Sequence, residues 1–371
     1  MAASLVALVL VVAGCGGGGS SSSSNEGSTE SGGENANLPA LGPTSKDPKI
    51  SVKPRTIGVL DVSREAPIDN NTDETIIAAG KALGWDVKVV NAGGNPEKIT
   101  KGAEALIGEG VDGFISVSVE GPSIRQALTT AKSNGTPTCS VLGGEAPADL
   151  YDAQYEEDET KMGSVAAGWY LENETSPKLI VLKSTTIPAG RLRLAGFLKQ
   201  LEGSGAEVVF EREINLEDPV GETAKAVQDA LVAAPDATAV WPEYDGFTQT
   251  AASTVQREGK DLPVLGYYAS PGNLQSLNSG GPIKVILDNN VAKGAAVCLD
   301  QFLKHFETGA AIDRDALKKA GGLEYILFDA ENAKKYLYPG LPESANVDHV
   351  FPPGAILKPF LAQWRNEYPG Q

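Results

Sequence analysis

Apolar runs of strand length alternate with amphipathic stretches of helix length along most of this chain, and the pattern runs through twice. TIGVLDV (56–62), WDVKVVNA (85–92), GFISVSV (113–119) and TPTCSVLGG (136–144) read as strands. Between them lie a helix around 73–84 that ends at Gly84, and a second that opens on Asn95 as N-cap with Pro96 behind it. A third, PSIRQALTTAKSNG, closes on Gly135. Strands that are apolar throughout must be covered on both faces, which requires a parallel sheet with helices above and below. The alternation then restarts. Helices are expected near 159–172, 190–202, 221–233, 246–258 and 271–279, with strands at 178–184, 206–213, 238–244, 262–268 and 283–288. A long helix, 291–308, follows, then a strand-like 324–329, a helix near 330–337 and a Pro-rich end. The fold class is therefore α/β, with two doubly wound, Rossmann-like lobes in series.

Charge narrows the function. The 371 residues carry 48 Asp and Glu against 31 Lys and Arg, a net charge of −17. A nucleic-acid binder needs a basic stripe to displace counterions, and none is visible. Anionic lipid would repel such a chain, so polybasic attachment to a membrane is excluded. The acidity serves solubility, or in part a site that seeks cations.

The N-terminal stretch bears on location. Leu5 to Ala13 is apolar but too short to span a bilayer, as in a signal peptide, although no Lys or Arg precedes it. Val12-Ala13-Gly14-Cys15 resembles the lipobox of a bacterial lipoprotein, in which the Cys15 thiol takes the lipid. The Gly- and Ser-rich stretch that follows cannot build a core and reads as a tether. Residues 1–14 are thus expected to be a signal peptide and 15–54 a lipid-anchored flexible linker, placing the protein outside the cytoplasm on the cell membrane. Cys139 and Cys298 remain; a disulfide and two buried thiols are both compatible with their apolar contexts.

Catalytic signals are thin. Gly108 to Gly113 fits G-x-G-x-x-G, but a helix ends there and a strand begins, the reverse of a dinucleotide site. The glycines read instead as a helix end and turn. His305 and His349 are the only histidines, and neither has a nucleophile or metal-ligand spacing nearby. No metal, cofactor or catalytic residue is implied, and an enzyme is not expected.

An ordered series of segments resembles the type I periplasmic solute-binding proteins, the ribose- and galactose-binding group. ITKGAEALIGEGVDGFISVS resembles their second helix and third strand, and EEDETKMGSVAAGWYL (156–171) their inter-lobe crossover and following helix. RLRLAGFLKQL (191–201) resembles the Arg-x-x-Gly-Phe helix. AVWPEYDGFTQTAASTVQREGK (239–260), VLGYY (264–268) and LDNNVAKGAAVCLDQFL (287–303) follow in the family's order. The resemblance implies two lobes joined by a three-crossover hinge that closes on a ligand. Lobe one would be 55–156 plus 289–323, and lobe two 157–288 plus a C-terminal extension, 324–371.

Carried over residue by residue, the resemblance implies ligand contacts from Arg193, from Asp245 with Tyr244 in place of the family's Asn, from Tyr268 in place of an Asp, and from Asp288 in place of a Gln. In lobe one, Asp61, Ser63, Glu65 and Asp69 lie at or just after the first strand, and Ser118 near the end of the third. That location agrees with the general rule that open α/β sheets bind ligands beyond their strand C-termini. Two features depart from sugar binders of this group: the first loop reads EAPID without aromatics, and Leu142-Gly143-Gly144-Glu145 replaces an Asp-Arg pair. The expected function is a monomeric solute-binding lipoprotein that delivers a small molecule, by default a monosaccharide or polyol, to the membrane subunits of an ABC permease. The alternatives are an aromatic or cationic ligand, a sensor in place of a transporter, and an extracytoplasmic enzyme.

Overall fold

Two sheets form, one wholly parallel and one parallel but for an antiparallel edge strand, and their central strands are largely buried on both faces. The computed structural model describes residues 49–144, 146–156, 158–184, 186–323, 325–333 and 351–370. Cys15, the expected signal peptide, most of the expected tether, His349 and much of the helix expected at 330–337 lie outside these residues.

In lobe one the chain runs β1 (Thr56–Asp61), α1 (Pro67–Leu83), β2 (Asp86–Asn91), α2 (Pro96–Gly108), β3 (Gly113–Val117), α3 (Arg125–Asn134), β4 (Thr138–Val141) and β5 (Ala153–Gln154). The strand order is β2-β1-β3-β4-β5 and every pairing is parallel. Asn95 caps α2, accepting from the backbone N–H groups of Glu97 and Lys98. The glycines at 108–113 end α2 and start β3, with Gly110 at φ +76°. A helix ends at the first of them and a strand starts at the last, so the dinucleotide reading stays rejected.

Lobe two comprises α4 (Glu159–Asn173), β6 (Lys178–Lys183), α5 (Pro188–Leu201), β7 (Glu207–Glu213), α6 (Pro219–Ala233), β8 (Ala239–Pro242), α7 (Asp245–Arg257), β9 (Val264–Tyr267), α8 (Pro271–Asn278) and β10 (Ile283–Asn289). The chain then returns to lobe one as α9 (Val291–Thr308), which packs on α1, and α10 (Ala316–Lys319). β11 (Tyr325–Phe328) rejoins the second sheet antiparallel to β10, giving the order β11-β10-β9-β8-β6-β7. The two lobes and their repeated crossovers are those of the expected architecture.

Helices α4 and α5 cross in contact through two glycines. A Cβ on Gly163 would stand 1.9 Å from the Arg193 carbonyl oxygen, and one on Gly196 would stand 2.0 Å from that of Thr160. Cys139 on β4 and Cys298 on α9 form a disulfide with Cα atoms 6.0 Å apart, so the returning helix is fastened to the first sheet.

Three expectations are corrected. First, α1 begins at Pro67, six residues before 73. Its first turns bury Asp69, Asn71, Thr72 and Asp73, and polar residues on the inward face hide the apolar period. Second, the C-terminal extension does not belong wholly to lobe two. Its helix α11 (Pro353–Glu367) packs on α1 and α9, with the buried Trp364 indole donating to Asp300 at 3.0 Å. Its five buried apolar side chains recur at helical spacing, so the Pro-rich end is a helix with Pro353 at its start. Third, the folded body begins before residue 54, because Ile50 bridges to Pro369. Among the described residues no helix is long and apolar enough to cross a membrane.

Candidate ligand-binding cleft

The C-terminal ends of both sheets point at one cavity. Lobe one contributes Ser63, Ala66, Ile68, Asp69, Ser118 and Leu142 to its walls; lobe two contributes Ile187, Ala189, Arg193, Leu216, Tyr244 and Tyr268. Three of these residues, Ser118, Leu142 and Tyr268, have φ of 57°, 60° and 58°, the only non-glycine residues in the left-handed region among those described. Each directly follows a strand: β3, β4 and β9. This conformation costs roughly 1–2 kcal/mol per residue outside glycine. Its concentration at three strand ends around one cavity marks the place where the fold holds strain for a site.

Asp69 is fully buried and its Oδ1 accepts from the Ser118 hydroxyl at 2.6 Å. Burial pushes its carboxyl up to about 7; the Ser118 hydrogen bond restrains the rise, and the Asp73 charge adds to it. Asp61 and Asp73 lie beneath, both fully buried. Burial raises Asp61 well above the usual carboxylate range, helped by Asp69 and Asp73, and raises Asp73 to about 6 against the pull of Asp61 and Arg64. Asp61 therefore belongs to a buried acidic group behind the wall and does not face the cavity. Glu65 is exposed and does not line the cavity either.

Arg193 lies at the cavity with 1% of its surface exposed, and protein groups engage its donors. Nε and Nη2 each stand 2.8 Å from Glu159 Oε2, Nη1 donates to the Glu243 carbonyl, and Nη2 donates to the Tyr268 hydroxyl at 2.6 Å. The guanidinium also lies over the rings of Tyr267 and Tyr268, at 4.5 and 4.9 Å. The expected fork for ligand oxygens is thus committed to the protein. In this arrangement Arg193 neutralises Glu159 and fixes Tyr268 in the wall.

Asp245 lies behind Tyr244, with Oδ2 accepting from Ile68 N–H across the lobes at 2.9 Å and Oδ1 from Gly246 N–H at 3.0 Å. Burial raises its carboxyl well above normal, and the Asp69 charge adds to this. Asp288 borders a second, smaller chamber; its Oδ2 accepts from Ala269 N–H at 2.6 Å. Burial pushes it to about 7, against the Ala269 and Asn289 N–H groups and Arg193.

The lobes are shut. Gly94 abuts Leu216 and Gly144 abuts Pro188. Arg191 donates to Glu120 at 2.9 Å, and Asn95 to Glu217 at 2.5 Å. Inside, the cavity measures only about 30 Å³, room for a water or two. Anything larger must enter through hinge opening.

Of the expected residues, the structure brings Ser63, Asp69, Ser118, Arg193, Tyr244 and Tyr268 to one cavity and sets Asp245 and Asp288 beside it. The apolar wall of Leu142, Ile187, Ala189 and Leu216 was missed, because an apolar residue at a strand end or helix start carries no signal of its own. Among the described residues no three or more His, Cys, Asp or Glu are placed to hold a metal ion.

Comparison with known proteins agrees with this geometry. Residues 59–304 match the family described as periplasmic binding protein domain. The ribose import binding protein of Bacillus subtilis is 24% identical over 225 residues, 60% of this chain and 72% of that protein. The crystal structure of the Caulobacter myo-inositol binding protein superposes with a TM-score of 0.67 at 18% identity, covering 77% of this chain and 98% of that one. An ABC transporter solute-binding protein from Mycobacterium smegmatis, with bound glycerol, gives 0.66 at 17% identity over 76% and 97% of the two chains. With the matched domain filling most of both lobes and the cleft at its centre, the chain belongs to the periplasmic binding protein family and has the type I fold.

Proposed function

We propose that the protein captures a monosaccharide or polyol between its lobes, outside the cytoplasm, and delivers it to the membrane subunits of an ABC permease. The mature chain is held to the membrane by lipid on Cys15 and acts as a monomer. It binds its solute and does not transform it. The observation that carries this reading is the convergence of strand-end residues from both lobes on one closed, polar-edged cavity. Hydroxyl and carboxyl groups there, Ser63, Asp69 and Ser118 with Tyr244 and Tyr268, suit a polyhydroxylated molecule. The relatives support the class, being named for ribose and myo-inositol.

The test is the melting temperature of the full chain in detergent against pentoses, hexoses and polyols. A ligand at about 1,000 times its Kd adds roughly 4 kcal/mol, several degrees for a protein of this size. Loss of uptake of that same compound in a deletion strain separates transport from sensing. A bound compound recovered altered would sink the non-enzymatic reading.

A further inference from the structure

The smaller chamber beside the cleft has a chemistry of its own. Ile68 and Tyr268 line both spaces, so the two share a wall. The chamber measures about 10 Å³, enough for a group of one heavy atom. Asp288 and Ser270 border it, 4% and 2% exposed. Asp288 Oδ1 and Ser270 Oγ are buried with no hydrogen-bond partner among the described residues. The Asn289 N–H acts on this carboxyl without reaching hydrogen-bond geometry at Oδ1, and a buried carboxylate oxygen gains from a well-placed donor.

Among the described residues the lining of the chamber carries an acid and no base. Asp288 is the only ionisable acid or base among the described residues that border it, apart from the Tyr268 phenol. The Arg193 charge reaches Asp288 from outside the lining, but its guanidinium is held by Glu159. In the main cavity Asp69 adds a second buried carboxyl, and Tyr268 and Tyr244 line the same space. A neutral hydroxyl offers one proton. An ammonium offers three together with a positive charge that the chamber's lining does not itself supply, and is attracted by aromatic faces.

We propose that the ligand is a polyhydroxylated amine, with its ammonium group beside Asp288 and Ser270 and its hydroxylated body beside Asp69 and Ser118. This rests on the solute-binding reading above and narrows it. The ammonium donates to Asp288 Oδ1 and Ser270 Oγ, while Ile68 and Tyr268 set the distance between the charged end and the hydroxyls.

The experiment compares matched pairs on the full chain in detergent, by calorimetry and melting: glucosamine against N-acetylglucosamine and glucose, and 1-amino-1-deoxyglucitol against glucitol. The amine of at least one pair should bind at least tenfold more tightly than its neutral counterpart. Asp288→Asn, which keeps an acceptor for Ala269, should remove that preference, and Ser270→Ala should reduce it without unfolding the protein. Equal or tighter binding of the neutral compound overturns the amine inference and leaves solute binding standing. So does an amine preference that survives Asp288→Asn. Binding by none of the compounds overturns both readings for these classes.

Discussion

Asp245 of lobe two caps helix α1 of lobe one: its Oδ2 accepts from Ile68 N–H at 2.9 Å, while the N-cap position itself, Ala66, supplies no side-chain bond. The first turn of a helix leaves N–H groups without partners, and here one of them is satisfied from across the cleft. Closure therefore completes a helix end. Asp245→Ala should shift the protein toward the open state and weaken ligand binding by roughly tenfold, about 1–2 kcal/mol. Asp245→Asn should retain most of the affinity. Small-angle scattering without ligand reads the opening directly, and an unchanged radius in the alanine variant would remove Asp245 from the closing machinery.

The Arg193–Glu159 pair is buried, at 1% and 2% side-chain exposure. Removing one member leaves an uncompensated buried charge. Glu159→Gln is expected to destabilise by about 3–5 kcal/mol. The double variant Glu159→Gln with Arg193→Met should lose less than the sum of the two single changes, because each single change orphans the other group. Additive losses in chemical denaturation would show that the pair does not act as a unit.

Buried acids give stability a pH slope of known sign. Folding raises Asp69, Asp288 and Glu156 to about 7 and Glu243 to about 8, each chiefly through burial. In the unfolded chain such groups titrate near about 4. Between those values the unfolded chain releases protons that the folded one keeps, so stability falls as pH rises from about 4 to about 8. Exposed Asp229 and Asp313, lowered by lysine partners, act in the opposite sense and only at more acid pH. The ligand-free protein should melt higher at pH 5 than at pH 8, and Asp69→Asn should flatten the slope. A melting temperature that rises from pH 5 to pH 8 would contradict this.

The Cys139–Cys298 bond closes a loop across 159 positions of sequence. Its loss, by reductant or by a double serine variant, should cost roughly 2–5 kcal/mol. Thiol titration of the denatured, non-reduced protein provides the check; two reactive thiols from this pair would show the bridge absent.

Gly163→Ala should be among the worst single-methyl additions in the molecule, since the Arg193 carbonyl oxygen stands 1.9 Å from the new Cβ. The helices must separate, which overpacking data place at about 1–3 kcal/mol or more. Gly168, on the same helix with nothing within 4 Å of an added Cβ, serves as the control, where alanine should be neutral or stabilising.

The sheet strands and most helices were legible because their burial is uniform or periodic. β3 is buried at every residue, and Asn95-Pro96 announced α2. What escaped was structure that depends on partners far along the chain. The start of α1 is polar because its partners are polar: Asp69 meets Ser118 and Asn71 meets the Phe351 carbonyl. Helix α11 sits among prolines, and its apolar face has meaning only against α1 and α9. The polar half of the cleft was readable as strand-end residues, but the engagement of Arg193 was not, because Glu159, Glu243 and Tyr268 reach it from three distant stretches of the chain, a helix start and two strand ends.

The pairing of Ile50 with Pro369 brings the two ends of the described chain side by side. A short linker could therefore join them, and new ends could be opened elsewhere in a circular permutant without breaking either sheet. An exposed turn such as Gly203-Ser204-Gly205 on lobe two offers a place for the cut, away from the cleft. A fluorescent reporter inserted there would move with lobe two while the joined ends stay with lobe one, turning hinge closure into an optical signal.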